Sequence, residues 1–110
     1  MNPLVIVNPQ SGGGKTGRTF SSMQRTFENA LGPIDVVFTS QSGHAVDLAE
    51  KSATEGRELV VAVGGDGTLN EVVNGLMRAI DSKAVAADKT PAIGIVGQGT
   101  GGDFRKTLGL

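Results

Sequence analysis

The sequence contains no cysteine, tryptophan or tyrosine, and its only aromatic residues are four phenylalanines. Without cysteine there is no disulfide framework, no thiolate metal site and no cysteine nucleophile. So few aromatic side chains argue against a base-stacking surface, and a net charge of -1 argues against the basic field that nucleic acid requires. Nucleic acid is therefore not an expected partner.

The sequence also lacks a long hydrophobic run. The first apolar stretch, Leu4–Val7, is far too short for a signal peptide or a membrane span. The single histidine, His44, has no cysteine or second histidine with which to share a metal, so no metal-ligating residue is predicted. With 110 residues the chain has room for one hydrophobic core. We expect a soluble cytoplasmic domain.

Glycine, in contrast, is abundant, with 17 residues, about twice its usual share. Most of these glycines fall in three clusters, and each cluster directly follows an apolar run. The clusters are Gly12, Gly13, Gly14 and Gly17; Gly64, Gly65 and Gly67; and Gly97, Gly99, Gly101 and Gly102.

The apolar runs alternate with segments of helical periodicity. Strands are predicted at residues 4–7, 34–39, 59–63 and 92–96, because these runs are short, rich in β-branched residues and not alternated with polar ones. Between them, a loop over 8–17 and a small-residue loop over 81–91 are expected. The predicted helices bury Phe20, Met23, Phe27, Ala30 and Leu31; then Ala45, Leu48, Ala49 and Ala53; then Leu69, Val72, Val73, Leu76, Met77 and Ile80. A last helix is predicted from Phe104.

This order predicts an α/β fold: a three-layer, parallel, Rossmann-like sheet with helices on both faces, incomplete at the C-terminus. Parallel strands end at one edge of the sheet, so the three glycine clusters should meet there. Ligands of open α/β sheets bind outside that edge. The pattern therefore indicates a nucleotide site.

The central cluster joins the third strand to its helix. Its glycines remove side chains where a ligand would approach, and the helix N-terminus favours an anion such as phosphate. Asp66, among these amides, fits a nearby divalent cation or attacking hydroxyl, although Asp-Gly is also ordinary turn chemistry. Thr68 and Glu71 stand in capping-box register, which predicts Thr68 as the N-cap.

Two nucleotide motifs are weak in the first loop. Gly14-Lys15-Thr16 resembles the end of a P-loop, but that motif needs a glycine where Pro9 stands. The spacing of Gly12, Gly14 and Gly17 satisfies the dinucleotide fingerprint. The acidic residue expected at the end of the second strand is missing, since that strand ends in Phe38-Thr39-Ser40.

Four motifs follow one another along the chain: Asn8-Pro9-x-Ser11-Gly12, Thr39 with Gly43-His44-Ala45, Gly64-Gly65-Asp66-Gly67-Thr68-Leu69-Asn70-Glu71-Val72-x-Asn74-Gly75-Leu76, and Gly99-Thr100-Gly101-x-Asp103-Phe104. With these motifs, essentially the whole chain resembles the catalytic domain of the diacylglycerol kinase family, which includes bacterial diacylglycerol kinases, related lipid kinases and sphingosine kinases. Gly97 and Gly102 stand where the family has Pro and Asn, and the latter change removes a donor and acceptor from the edge of the site.

The resemblance implies a kinase that transfers the γ-phosphoryl group of ATP, with Mg²⁺, to a lipid hydroxyl. Asp66 and Asp103 are the implied catalytic residues, although Asp103 also fits a simple helix N-cap. The implied nucleotide-binding residues are Asn8, Ser11, Gly12, Thr39, Gly64, Gly65, Gly67, Thr68, Asn70, Glu71 and Thr100.

Family members continue into a second, β-rich domain, so the resemblance implies that residues 1–110 form the N-terminal nucleotide-binding domain. ATP, a lipid substrate and the inner membrane surface are the implied partners of the full-length enzyme, and self-association of the domain is also expected. An NAD kinase-like enzyme, which shares the Gly-Gly-Asp-Gly-Thr element, and a non-catalytic nucleotide-binding module are the alternatives.

Overall fold

The fold is an open, three-layer α/β sandwich. The structure is a computed structural model that describes residues 1–96. The predicted third glycine cluster and the helix from Phe104 lie outside the described residues. The elements are β1 (Leu4–Val7), α1 (Lys15–Leu31), β2 (Asp35–Phe38), α2 (His44–Glu55), β3 (Leu59–Val63), α3 (Asp66–Asp81), a 3₁₀ turn (Ala87–Lys89) and β4 (Ala92–Val96).

The four strands form one parallel sheet in the order β2-β1-β3-β4. From β1 the chain moves first to one side, into β2, and then to the other, into β3. The switch point therefore lies between β1 and β3, where the Asn8 N–H donates to the Val63 carbonyl at 3.0 Å. All four strands end at the same edge, as predicted.

The hydrophobic core occupies both faces of the sheet, which confirms the three-layer prediction. Alternate strand residues supply each face. The core on the face of α2 and α3 combines strand and helix residues. The strands contribute Leu4, Ile6, Val60 and Ala62, and the two helices contribute Ala45, Ala49, Ala53, Val72, Leu76 and Ala79. Against α1 pack Val5, Val7, Val61, Val63 and Val96, with Phe20 and Phe27. Ala30, predicted to be buried, is exposed, as are Val73 and Met77.

Helices α2 and α3 cross at very short distance over Gly75. A Cβ at this position would meet the Val46 carbonyl oxygen and would lie 2.7 Å from the Ala49 Cβ. A glycine inside a helix costs stability by itself. Here it allows the two helices to approach closely, and their N-termini lie at the same edge of the sheet because each helix follows a strand of one parallel sheet.

The opposite edge of the sheet is tied together by Arg57. Its guanidinium donates to Asp35 and to the Asn2 carbonyl, both at 2.7 Å, and to Glu55 at 3.0 Å. Hydrogen bonds from Arg57 and Asn2 hold the pKa of Asp35 below its ordinary value. The Arg57 side chain thus links the starts of β1 and β2 to the segment before β3.

Two local predictions are corrected. Helix α1 begins at Lys15 instead of after Gly17, because Gly12, Gly13 and Gly14 complete the turn with positive φ angles. Helix α3 begins at Asp66 with Gly65 as its N-cap, so Thr68 lies inside the first turn and makes no capping hydrogen bond. No helix within residues 1–96 is long and apolar enough to cross a membrane.

Candidate functional site

A polar cleft of about 430 Å³ opens at the edge where the strands end. Its walls come from the segments that follow β1, β2 and β3, and from the first turns of α2 and α3. The lining residues are Asn8, Gln10, Ser11, Thr39, Ser40, Gln41, Ser42, Ala45, Gly65, Gly67, Thr68 and Glu71.

The N-terminus of α3 presents free hydrogen-bond donors at this cleft. The N–H groups of Thr68 and Leu69 both donate to the Gly65 carbonyl, at 3.1 and 3.3 Å. Within residues 1–96, the N–H groups of Gly65, Asp66 and Gly67 have no acceptor, and no side chain caps the helix. Free N–H groups at the positive end of a helix dipole attract an anion.

Gly64 lies buried behind this turn. Its N–H donates to the Val96 carbonyl at 3.1 Å, and a Cβ here would stand 2.6 Å from the Thr68 hydroxyl oxygen. The glycine therefore lets the first turn of α3 pack directly against the end of β3. Its role in the site is indirect, through the position of Thr68.

The N-terminus of α1 is different, because its donors are already used. The N–H groups of Lys15, Thr16 and Gly17 donate to carbonyls of the preceding loop, those of Gly12, Ser11 and Pro9, at 3.1 to 3.3 Å. A dinucleotide fingerprint needs this helix end to receive the pyrophosphate. The first turn of α1 therefore has no free N–H group for a pyrophosphate, which agrees with the missing acidic partner at the end of β2.

The β2–α2 loop, residues 39–43, forms another wall of the cleft. Its first N–H, from Thr39, donates to the Val7 carbonyl at 2.8 Å. The Ser40 N–H donates to His44 Nδ1 at 3.0 Å, and the Gly43 N–H donates to Glu71 Oε1 at 3.2 Å. Glu71 thus bonds the helix that neighbours its own, instead of completing a capping box with Thr68.

Most predicted nucleotide-binding residues come together in the cleft, and some do not. Those that line it are Asn8, Ser11, Thr39, Gly65, Gly67, Thr68 and Glu71. Gly12 is exposed in the first loop with φ 64°, and it is not among the lining residues. Thr100 and Asp103 lie outside the described residues.

Asp66 and Asn70 occupy a different surface, an open groove of about 540 Å³ that Leu69, Val73 and Gly67 also line. Gly67 borders both spaces, so the groove adjoins the cleft across the first turn of α3. Asp66, one of the two predicted catalytic residues, is exposed there beside a partly apolar surface. The cleft is lined by the glycines at the N-terminus of α3, and the groove holds the Asp66 carboxylate next to apolar side chains.

The sequence reasoning missed the uncharged polar residues Gln10, Ser40, Gln41 and Ser42, which also line the cleft. Each follows the end of a strand, and that position was the signal that could have found them. Glu71 is the only charged side chain among the described lining residues. No group of three or more acidic or histidine side chains capable of holding a metal ion exists within residues 1–96.

The fold and cleft define an open α/β domain of the kind that binds ligands outside the ends of its strands. Comparison with known proteins identifies it further. The sequence model of the diacylglycerol kinase catalytic domain matches residues 2–110, and the chain belongs to this family.

Individual relatives agree with this assignment. A diacylglycerol kinase of Bacillus subtilis is 34% identical over 106 residues, which are 96% of this chain and 32% of the relative. A ceramide kinase of Arabidopsis thaliana is 35% identical over 81 residues, which are 69% of this chain and 13% of the length of that kinase. A crystal structure of a diacylglycerol kinase from Bacillus anthracis matches with a TM-score of 0.71 at 29% identity, covering 98% of this chain and 36% of that one. The chain thus spans about a third of the length of these bacterial relatives.

Proposed function

We propose that the chain is the nucleotide-binding domain of an ATP-dependent lipid kinase. The observation that supports this most directly is the uncapped N-terminus of α3, with free N–H groups at Gly65, Asp66 and Gly67 beside a polar cleft. The donors suit phosphate oxygens, and family membership supplies the reaction class. Phosphoryl transfer requires mostly positioning and charge neutralisation, which are the properties that such a turn provides.

The phosphates of ATP are proposed to lie against the first turn of α3, within reach of the Thr68 hydroxyl. Asn8 and Ser11, which follow β1, line the same cleft and offer further polar contacts. The cleft contains no cationic side chain among the described residues. The phosphate charge is proposed to be met there by backbone dipoles and by a metal ion bound with the nucleotide.

Mg²⁺ is the proposed metal, bound with the nucleotide. It prefers oxygen ligands and commonly uses one or two carboxylates together with substrate phosphates. Asp66, beside the cleft, is the carboxylate within the described region that is proposed to contribute to this donor set, whereas the Glu71 carboxylate accepts a hydrogen bond from the Gly43 N–H. When bound, the ion supplies neutralisation of the charge on the transferred phosphoryl group.

Asp66 is proposed to orient the lipid hydroxyl, because its groove combines a carboxylate with the apolar side chains of Leu69 and Val73. Asp103 remains a second proposed catalytic residue, and Thr100 a proposed nucleotide contact. The complete protein is proposed to add a β-rich domain, to act at the inner membrane surface and to self-associate.

A calorimetric titration of the 110-residue chain with ATP–Mg²⁺, ADP–Mg²⁺ and NAD⁺ tests the nucleotide site. The informative variant is Gly65→Val, since a Cβ at Gly65 meets nothing within 4 Å and the backbone there is extended, with φ −93° and ψ −167°. The variant should fold normally and lose ATP binding, because its side chain occupies space beside the free N–H groups. Ala86→Val, in the exposed loop before β4, is the matched control.

Binding of ATP or ADP that Gly65→Val abolishes and Ala86→Val preserves is the expected result. In a thermal-shift version, nucleotide at a hundred times its Kd should add about 2.7 kcal/mol of stability. Binding of NAD⁺ alone, or ATP binding that Gly65→Val leaves intact, would contradict the proposal.

A further inference from the structure

The β2–α2 loop is held in place by two side chains from outside it. Residues 39–42 of the loop line the cleft, and each of the two side chains accepts a hydrogen bond from one backbone N–H of the loop. These acceptors are His44 in the first turn of α2 and Glu71 in α3. Both are contacts within the protein, and they are separate from the contacts proposed between the cleft and phosphate.

The hydrogen bond from the Ser40 N–H identifies the ring nitrogen of His44 that acts as acceptor. A backbone amide can only donate, so Nδ1, which accepts from the Ser40 N–H at 3.0 Å, carries no proton. The neutral ring therefore has its proton on Nε2. The Ser40 hydroxyl oxygen lies 3.4 Å from the same Nδ1. The His44 side chain thus connects the start of the loop to the first turn of α2.

The bond to Glu71 connects two helix N-termini. The Gly43 N–H, at the N-cap of α2, donates to Glu71 Oε1 at 3.2 Å across 28 positions of sequence. Within the described chain, α2 has no capping side chain of its own, so the carboxylate from α3 supplies an acceptor there. The first turns of both helices line the cleft, through Ala45 in α2 and through Gly67 and Thr68 in α3.

We infer that Glu71 and His44 are positioning residues, which hold the β2–α2 loop in the conformation that receives the nucleotide. Their hydrogen-bond acceptors, and not the negative charge of Glu71, set the affinity. The negative charge of Glu71 by itself disfavours a phosphate nearby, so its favourable contribution is the hydrogen bond with the Gly43 N–H, which organises the wall of the cleft. This inference rests on the proposed nucleotide binding.

Paired substitutions separate the acceptor from the charge. Glu71→Ala and His44→Phe remove an acceptor, and each should weaken ATP–Mg²⁺ binding by about threefold to tenfold, the equivalent of one hydrogen bond. Glu71→Gln and His44→Asn keep a side-chain oxygen near the donor, and each should bind within about twofold of wild type. Glu28→Ala, an exposed change on α1, is the control for loss of a glutamate.

Amide hydrogen exchange tests the loop without nucleotide. Glu71→Ala should accelerate exchange at Gly43 and leave Ser40 protected, whereas His44→Phe should do the reverse. A uniform loss of stability would accelerate both amides equally in both variants, and that result would overturn the positioning role.

Two further outcomes would also overturn the inference. The first is loss of affinity in Glu71→Gln as large as in Glu71→Ala, which would assign the effect to charge. The second is faster exchange in the loop with unchanged affinity for ATP–Mg²⁺. If wild type binds no nucleotide at all, the proposed function fails instead, and the exchange data still decide whether these side chains hold the loop.

Discussion

Gly67 and Gly75 both lie in α3, but their surroundings differ. Gly75 lies buried against α2, where a Cβ would stand 2.7 Å from the Ala49 Cβ. Gly67 is exposed, and a Cβ there would meet nothing within 4 Å. The tertiary surroundings therefore decide whether the missing side chain matters.

Gly75→Ala is predicted to destabilise the domain by about 1–3 kcal/mol, because overpacking outweighs the gain in helix propensity. Urea denaturation measures the change. Gly67→Ala, the same substitution in the same helix, should be neutral or stabilising by about 0.5–1 kcal/mol. Equal effects from the two variants would show that the contact with α2 is not what requires Gly75.

Among the elements, the starts of β1 and β2 are linked through Arg57, which bonds the Asn2 carbonyl and the Asp35 carboxylate. The Arg57 side chain is 13% exposed and holds Asp35 at 2.7 Å. Arg78, in contrast, is 57% exposed and lies 3.6 Å from its carboxylate partners. Exposed ion pairs contribute little to stability. The two arginines therefore form a matched pair for measuring the link between β1, β2 and β3.

Arg57→Met is predicted to lower stability at neutral pH and to reduce its pH dependence. The hydrogen bond from Arg57 holds the pKa of Asp35 below its ordinary value of 3.8. A lowered carboxyl pKa stabilises the folded state above the unfolded pKa, and this contribution is lost as pH falls through the folded pKa. Wild type should thus lose more stability than the variant on acidification below about pH 4.

Urea midpoints at neutral pH and at a series of pH values below 4 test this prediction. Arg78→Met should follow the wild-type acid profile. An Arg57→Met profile that is parallel to wild type over the same range would refute the role assigned to Asp35. Asn2 also donates to Asp35, at 3.3 Å, so a small residual dependence is expected in the variant.

In the molecule as a whole, the proposed nucleotide site and the proposed site of the lipid hydroxyl lie on either side of the first turn of α3, in the cleft and in the groove. Gly65 and Gly67, at the N-terminus of α3, line the cleft where the nucleotide is proposed to bind, and Asp66 lies in the groove with Leu69 and Val73. The chain covers about a third of the length of its bacterial relatives, and the acceptor site of the proposed lipid kinase is expected to need more than these residues.

The 110-residue chain is therefore predicted to bind ATP–Mg²⁺ weakly and to show no appreciable lipid phosphorylation. An assay with radiolabelled ATP and diacylglycerol in mixed micelles measures this, with a longer family member as the positive control. Phosphorylated lipid produced by the 110-residue chain, and lost in Asp66→Ala, would contradict the prediction and would show that the described groove is sufficient.

The local sequence was enough to predict the four strands, the three described helices and the common edge at which the strands end. These features depend on periodicity and on turn residues that are neighbours along the chain. Thr39 and Thr68, which the family resemblance implied as nucleotide contacts, line one cleft because parallel strands end at a common edge.

The partners of Glu71 and Gly75 could not be predicted in this way. Glu71 had a plausible local partner in Thr68, yet it bonds Gly43, because the close crossing of α2 and α3 brings the two helix N-termini together. Strand order and the free donors of α3 likewise depend on which groups lie close in space. Hydrophobic periodicity specifies which face of an element is buried, but packing between elements selects the hydrogen-bond partner.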